Sequence, residues 1–179
     1  MNKKLSVIVS FYNEEESIDL FIDETVKELN SINNLDYEII FVNDCSKDKS
    51  LEKLLLQRDK NKKIKIINLS RRFGPMESIM AGLKMSTGDA LVNLDIDLQD
   101  PPSLIKDMVK FWREDNYDVV YTTRTKRSGE PLIKRFISSI GYKILKKFTN
   151  IPIEKDSGDF RLISRRVINE YKKFNEVYP

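Results

Sequence analysis

The stretch Leu91-Val-Asn-Leu-Asp95-Ile-Asp97-Leu-Gln-Asp100-Pro-Pro102 decides how this chain is read. An apolar run ends in two carboxylates one residue apart, followed by a turn-forming Pro pair. Alternation along an extended segment predicts that Asp95 and Asp97 project to one side. They stand at the carboxyl end of an expected strand, the end at which open α/β sheets bind ligands. Two hard oxygen donors in that place suit Mg²⁺ or Mn²⁺ shared with substrate phosphates. Two solvated loop acids would give the same short motif, so the surrounding pattern has to carry the reading.

Outward from this stretch, apolar strands alternate with helical periodicity. Leu5–Phe11 reads as a buried strand and Glu14–Leu29 as a helix with Ile18, Phe21, Ile22, Val26 and Leu29 on one face. Tyr37–Val42 and Ile64–Leu69 are further strands, with a helix at Lys49–Arg58 between them. Glu77–Met85 follows the Gly74-Pro75 turn as a helix, and Ala90–Leu94 is the strand that ends at the paired acids. Pro102 suits the first turn of a helix running to about Trp112. Asp118–Thr122 is a fifth strand, and Leu132–Phe148 a long helix. Repeated β–α order predicts an α/β fold, a mostly parallel Rossmann-like sheet flanked by helices. The 179 residues fit one domain, 1–179.

Composition narrows the chemistry. A net charge of +3 is too small to imply nucleic acid. The single cysteine, Cys45, allows no intrachain disulfide, which fits a reducing, cytoplasmic setting. There is no histidine, so acid–base work falls to carboxylates, Lys, Tyr or Cys. No run approaches the roughly 20 apolar residues of a membrane-spanning helix, and no signal peptide is visible. The ending Glu176-Val-Tyr-Pro179 carries no helix stop signal, as expected of a chain trimmed from a longer protein.

The ends of four strands carry polar groups that should meet at one sheet edge: Ser10 to Glu14, Asn43 to Asp48, Ser70 to Gly74, and the paired acids. Individually they are weak signals, since Asn13 and Asp48 are equally explicable as helix caps. Together, Asp44, Asp95 and Asp97 around one crevice would repel unless a cation or a base contact uses them. That combination points to a nucleotide-diphosphate site.

The strings SVIVSFYNEEESI, FVNDCSKDKS, LSRRFGPMESIMAGL, GDALVNLDIDLQDPP, TTRTKRSGEPLIKR and DSGDFRLISRRVI span nearly the whole chain. In order and spacing they resemble the family 2 glycosyltransferases of the GT-A fold, in the polyprenyl-phosphate branch with bactoprenol glucosyltransferases and dolichyl-phosphate mannose synthases. The resemblance implies that Ser10, Tyr12 and Glu14 form the first nucleotide-contacting turn and that Asp44 hydrogen-bonds the base. It implies that Asp95 and Asp97 bind the metal and the ribose or diphosphate, with Asp97 the direct ligand and a catalytic residue. Arg72 and Gly74 belong by the same match to the nucleotide-sugar loop, and Gln99 lies beside the sugar. Arg124 and Arg135 match positions holding the acceptor phosphate, a use that suits a planar bidentate donor, and Arg161 would either contact that phosphate or brace its loop. Asp159, or in second place Asp156, would orient or deprotonate the acceptor. Cys45 stands where a glycine is usual, and Arg72-Phe73-Gly74-Pro75 where relatives often carry Asn-Phe-Gly-Lys; both departures leave the donor sugar open.

The resemblance implies metal-dependent, inverting transfer of a hexose from a nucleotide-diphosphate sugar, a UDP-sugar by preference, to a polyprenyl phosphate. Transfer to a saccharide acceptor and a catalytically silent nucleotide-sugar-binding domain are the alternatives. The helix Leu132–Phe148 has an apolar stripe and basic flanks. It either packs on the sheet or a partner, or lies on an anionic membrane surface, which would put the protein at the cytoplasmic face of a membrane. A homo-oligomer is compatible with the sequence.

Overall fold

The computed structural model describes residues 3–123 and 157–173. The elements run β1 (Lys3–Phe11), α1 (Ile18–Asn30), β2 (Leu35–Asn43), α2 (Ser50–Lys60), β3 (Ile64–Asn68), α3 (Pro75–Met85), β4 (Ala90–Asn93), α4 (Leu104–Glu114) and β5 (Val119–Thr123). After the undescribed stretch come β6 (Ser157–Ser164) and α5 (Arg165–Tyr171). The long helix expected at 132–148 lies outside the described residues. The chain divides into two compact units, one of Met1–Val120 with Phe160–Pro179 and one of Tyr121–Asp159. The packing and the crevice described below belong to the first.

The sheet has strand order β3-β2-β1-β4-β6-β5. β1 pairs in parallel with both β2 and β4, and β2 in parallel with β3, whereas β4 pairs antiparallel with β6. The expected mixed but mostly parallel α/β sheet is therefore present. β1 and β2 carry near-continuous apolar runs because both of their faces are covered. On one face Val7, Val9, Ile39 and Phe41 meet Phe21 and Leu29 of α1 and Ile105, Met108 and Trp112 of α4. On the other, Ile8, Ile40, Val42 and Leu91 meet Leu83 of α3 and Ile168 of α5. Phe41 makes edge-to-face contacts with Phe11 at 6.3 Å and Phe21 at 5.9 Å, each adding about 1 kcal/mol beyond burial.

Three boundaries depart from the pattern read in the sequence. α1 begins at Ile18, not Glu14. The amides of Glu14 and Glu15 donate instead to Ser50 Oγ at 2.9 Å and Asp48 Oδ2 at 3.1 Å, which holds Glu14–Ser17 in a turn. β4 stops at Asn93, so strand alternation does not reach the paired acids. β6 was not anticipated, because its partner β4 lies far away in sequence.

The amino end of the sheet holds a buried charge. The Glu38 side chain on β2, 1% exposed, accepts from Ser6 Oγ at 2.6 Å and the Thr87 amide at 2.7 Å. Lys65 Nζ lies 2.6 Å and Lys4 Nζ 3.2 Å away. Gly88 makes this closeness feasible, since a Cβ there would fall 2.6 Å from Ser6 N. Burial by itself raises the Glu38 carboxyl, but hydrogen bonds from Lys65, Ser6, Thr87 and Lys4 outweigh it and lower the group from 4.5 to about 2. A carboxyl lowered in this way stabilises the fold fully above its unfolded value, and that contribution is lost as pH falls from 4.5 through about 2. Glu38→Gln is expected to lower Tm at neutral pH and to flatten the acid limb across that window. Thermal unfolding at pH 7 and pH 3 measures both, and a variant with wild-type acid sensitivity would contradict the assignment.

Candidate functional site

At the carboxyl edge of the sheet the loops after β1, β2, β3 and β4 surround a crevice of about 330 Å³. Ser10, Tyr12 and Glu14 reach it from the first loop, Asp44 from the second, Arg72 from the third, and Asp95 and Asp97 from the fourth. The structure thus brings together the residues expected to contact a nucleotide and those expected to hold a metal. Ser78 and Pro75, from the first turn of α3, also line the crevice; Pro75 was read only as part of a turn and Ser78 was not singled out in the sequence. Their signal was available in the Gly-Pro turn, since a helix amino terminus opening on a pocket favours anions.

The first two loops are stitched together through their backbones. Asn13 Oδ1 accepts from the Lys47 amide at 2.8 Å, and the Asn13 amide donates to Ser46 Oγ at 2.9 Å. Asn13 therefore ties two loops rather than capping α1, whose cap position is Ser17. Asp48 accepts from the Ser50 amide at 3.0 Å as well as from Glu15, so it ties the first loop to the start of α2, whose cap position is Lys49. Burial raises the Asp48 carboxyl, but the bonds from Ser50 and Glu15 prevail and hold it below its ordinary value.

Asp44, 4% exposed, grips the third loop. Its Oδ1 accepts from the Phe73 amide at 2.7 Å and its Oδ2 from the Gly74 amide at 3.0 Å. Arg72 Nε lies 4.0 Å from Oδ2, and the Arg72 guanidinium stacks 4.1 Å from the centre of the Tyr12 ring. A carboxylate offers about four acceptor positions, so two remain for a ligand. Gly74 itself does not line the crevice. It supplies the backbone, at φ 106°, that lets the loop turn into α3 with Pro75 in the first turn.

Asp95 and Asp97 both reach the crevice, on one side as expected, although they stand in the loop beyond β4. Ile96 between them is buried in the core, which turns both acids outward. Leu98 then adopts φ 59° and packs against the main core, while the Gln99 amide donates to Asp97 Oδ1 at 3.1 Å. The Gln99 side chain is exposed and does not line the crevice. Among the described residues no three carboxylate, thiol or imidazole groups gather as a closed metal cage. The donor set fits Mg²⁺ or Mn²⁺ all the same, because such ions are commonly bound by one or two carboxylates, with water and substrate phosphates completing the shell.

Arg161 is exposed on β6 and does not line the crevice. Asp159 falls within the β6 backbone, its side chain outside the described residues. Arg124, Arg135 and Asp156 also lie outside them, as does the 132–148 segment. Among the described residues no helix is long and apolar enough to cross a membrane.

The model of the family described as "Glycosyl transferase family 2" matches residues 6–172. The chain belongs to glycosyl transferase family 2. It is 42% identical over 176 residues to the uncharacterized glycosyltransferase sll0501 of Synechocystis, covering 98% of this chain and 55% of that protein. It is 35% identical over 173 residues to the prophage bactoprenol glucosyl transferase homolog of Escherichia coli, covering 97% of this chain and 56% of that protein. This chain therefore spans little more than half the length of these curated relatives. Among solved structures, the Pyrobaculum calidifontis mannosyltransferase PcManGT, in complex with GDP-Man and Mn²⁺, superposes with a TM-score of 0.65. That match has 19% identity and covers 96% of this chain and 47% of that one, and it supports the GT-A fold.

The Asp44 grip makes Gly74 a point of strain for any other residue. Gly74→Ala would place a side chain at φ 106°, with its Cβ 3.2 Å from Glu77 Oε2. A loss of about 1–3 kcal/mol is expected in urea unfolding, together with weaker ligand binding in the crevice. An unchanged midpoint would show that the loop relaxes freely.

Proposed function

We propose that this chain is the donor-binding and catalytic part of an enzyme that transfers a hexose, with inversion, from a nucleotide-diphosphate sugar to a polyprenyl phosphate. One observation carries the donor reading: a single crevice is lined by Asp44, Arg72 and Tyr12, with Arg72 against both of the others, and by Asp95 and Asp97. The first group suits a base, because Asp44 keeps acceptor positions for an imide N–H and Tyr12 offers an aromatic face. A UDP-sugar is the preferred donor on that ground. The second group suits a diphosphate through a divalent ion. When bound, Mg²⁺ or Mn²⁺ would neutralise charge on the departing diphosphate.

The acceptor side rests on the resemblance and on the bactoprenol name of a relative. Arg124, Arg135 and Arg161 are proposed to hold the acceptor phosphate, with Asp159, or in second place Asp156, orienting the attacking oxygen. A phosphate is already largely ionised near neutral pH, since its second pKa is about 6. The aspartate thus positions more than it deprotonates. A membrane contact through 132–148 would suit a lipid-linked acceptor.

Calorimetry with UDP and UDP-sugars, with and without Mn²⁺, tests the donor reading, and transfer assays with polyprenyl phosphate against free saccharides test the acceptor. Asp97→Asn is expected to abolish Mn²⁺-dependent turnover, and near-normal turnover would remove Asp97 from the metal site. Arg135→Glu is expected to suppress use of the lipid phosphate while leaving nucleotide affinity unchanged. Equal loss of both would place Arg135 in the fold instead.

A further inference from the structure

Asn93, the last residue of β4, holds a side-chain oxygen that is shielded from solvent and has no hydrogen-bond partner among the described residues. It sits opposite Ile8 of β1 and, by strand alternation, on the same face as Leu91. That face is the apolar cluster of Ile8, Ile40, Val42 and Leu83, which an apolar residue at 93 would extend. An unpaired amide oxygen there works against stability, so the fold alone gives no reason for asparagine.

Its place along the sheet edge supplies one. The strand order runs β3-β2-β1-β4-β6. Asp44 and Arg72, from the loops after β2 and β3, line the crevice, as does Asp95, two residues beyond Asn93 on the other side of β1, whereas Asn93 itself does not. A nucleotide-diphosphate sugar with its base at Asp44 and its diphosphate at Asp95 and Asp97 extends its sugar toward β4 and β6. β6 pairs antiparallel with β4 through Leu91↔Ile163 and Val92↔Leu162, one step short of Asn93. The residue as a whole is partly exposed. The broad terminal torsion of asparagine can therefore turn the oxygen outward.

We propose that Asn93 is a specificity residue for the transferred hexose, its amide oxygen accepting a hydrogen bond from a sugar hydroxyl. This rests on the nucleotide-sugar reading above. The test is calorimetry on the full chain with Mn²⁺, using UDP, GDP, UDP-glucose, UDP-N-acetylglucosamine and GDP-mannose, for wild type, Asn93→Leu and Asn93→Ala. The expected result is unchanged affinity for the free nucleotide and about tenfold weaker binding of the nucleotide sugar that wild type prefers. Asn93→Leu should melt at or above the wild-type temperature, because it removes the unpaired oxygen. Variants that keep the full affinity gain from the sugar overturn the proposal while leaving the donor reading intact. Equal loss of nucleotide and nucleotide sugar overturns it too, assigning Asn93 to the fold. A wild-type chain that binds none of the probes overturns both.

Discussion

β1 is hydrogen-bonded in parallel to a strand on each side, β2 and β4, and much of the architecture follows from that placement. Parallel neighbours share a direction, so the loops after β1, β2 and β4 leave the same edge, and β3, parallel to β2, adds its own. With both faces of β1 covered, its backbone polar groups can be satisfied only by these two neighbours. The crevice is therefore a product of topology before it is a product of its side chains. The buried Glu38 cluster at the opposite end acts on the same strands, joining β1, β2, β3 and the turn before β4 through one carboxylate.

The site is held by backbone amides more than by side-chain pairs. Asp44 binds two successive amides of the third loop, Asn13 joins the first loop to the second through Ser46 and Lys47, and Asp97 binds its own loop at Gln99. Bonds of charged acceptors to amides are stronger than neutral ones, and they place loops whose own sequences have little tendency to order. Residues that face a ligand and residues that shape the loops are thus often the same. This explains how Asp44 can be both nearly buried and part of the crevice wall.

Much of this was legible in the chain. Runs such as Leu5–Phe11 and Tyr37–Val42 announce covered strands, and polar groups after each announce the loops at one edge. Ser10, Tyr12, Glu14, Asp44, Arg72, Asp95 and Asp97 were named from sequence and all line the crevice. What was not legible depends on distant partners. Ser157–Ser164 reads as part of a motif until β4 is available to pair with it. Glu38 looks like one polar position in a strand, because its partners Lys4, Ser6, Lys65 and Thr87 are scattered through the chain. The setting of Asp97 depends also on Leu98 leaving the extended region, which a period of two does not describe.

Each of the four loops contains one residue with positive φ: Asn13, Cys45, Gly74 and Leu98. Only one of them is glycine, and Leu98 is kept there by the packing of its side chain on the core. At the three other residues these conformations are rarely visited by an unfolded chain, so the edge of the sheet carries a cost that the strands behind it offset. The molecule is accordingly uneven in its tolerance of sequence change. Its strands can exchange one branched apolar residue for another of similar volume, whereas its loops accept few replacements at these four turns. Drift in such a chain would be channelled into the layers behind the crevice and away from its rim.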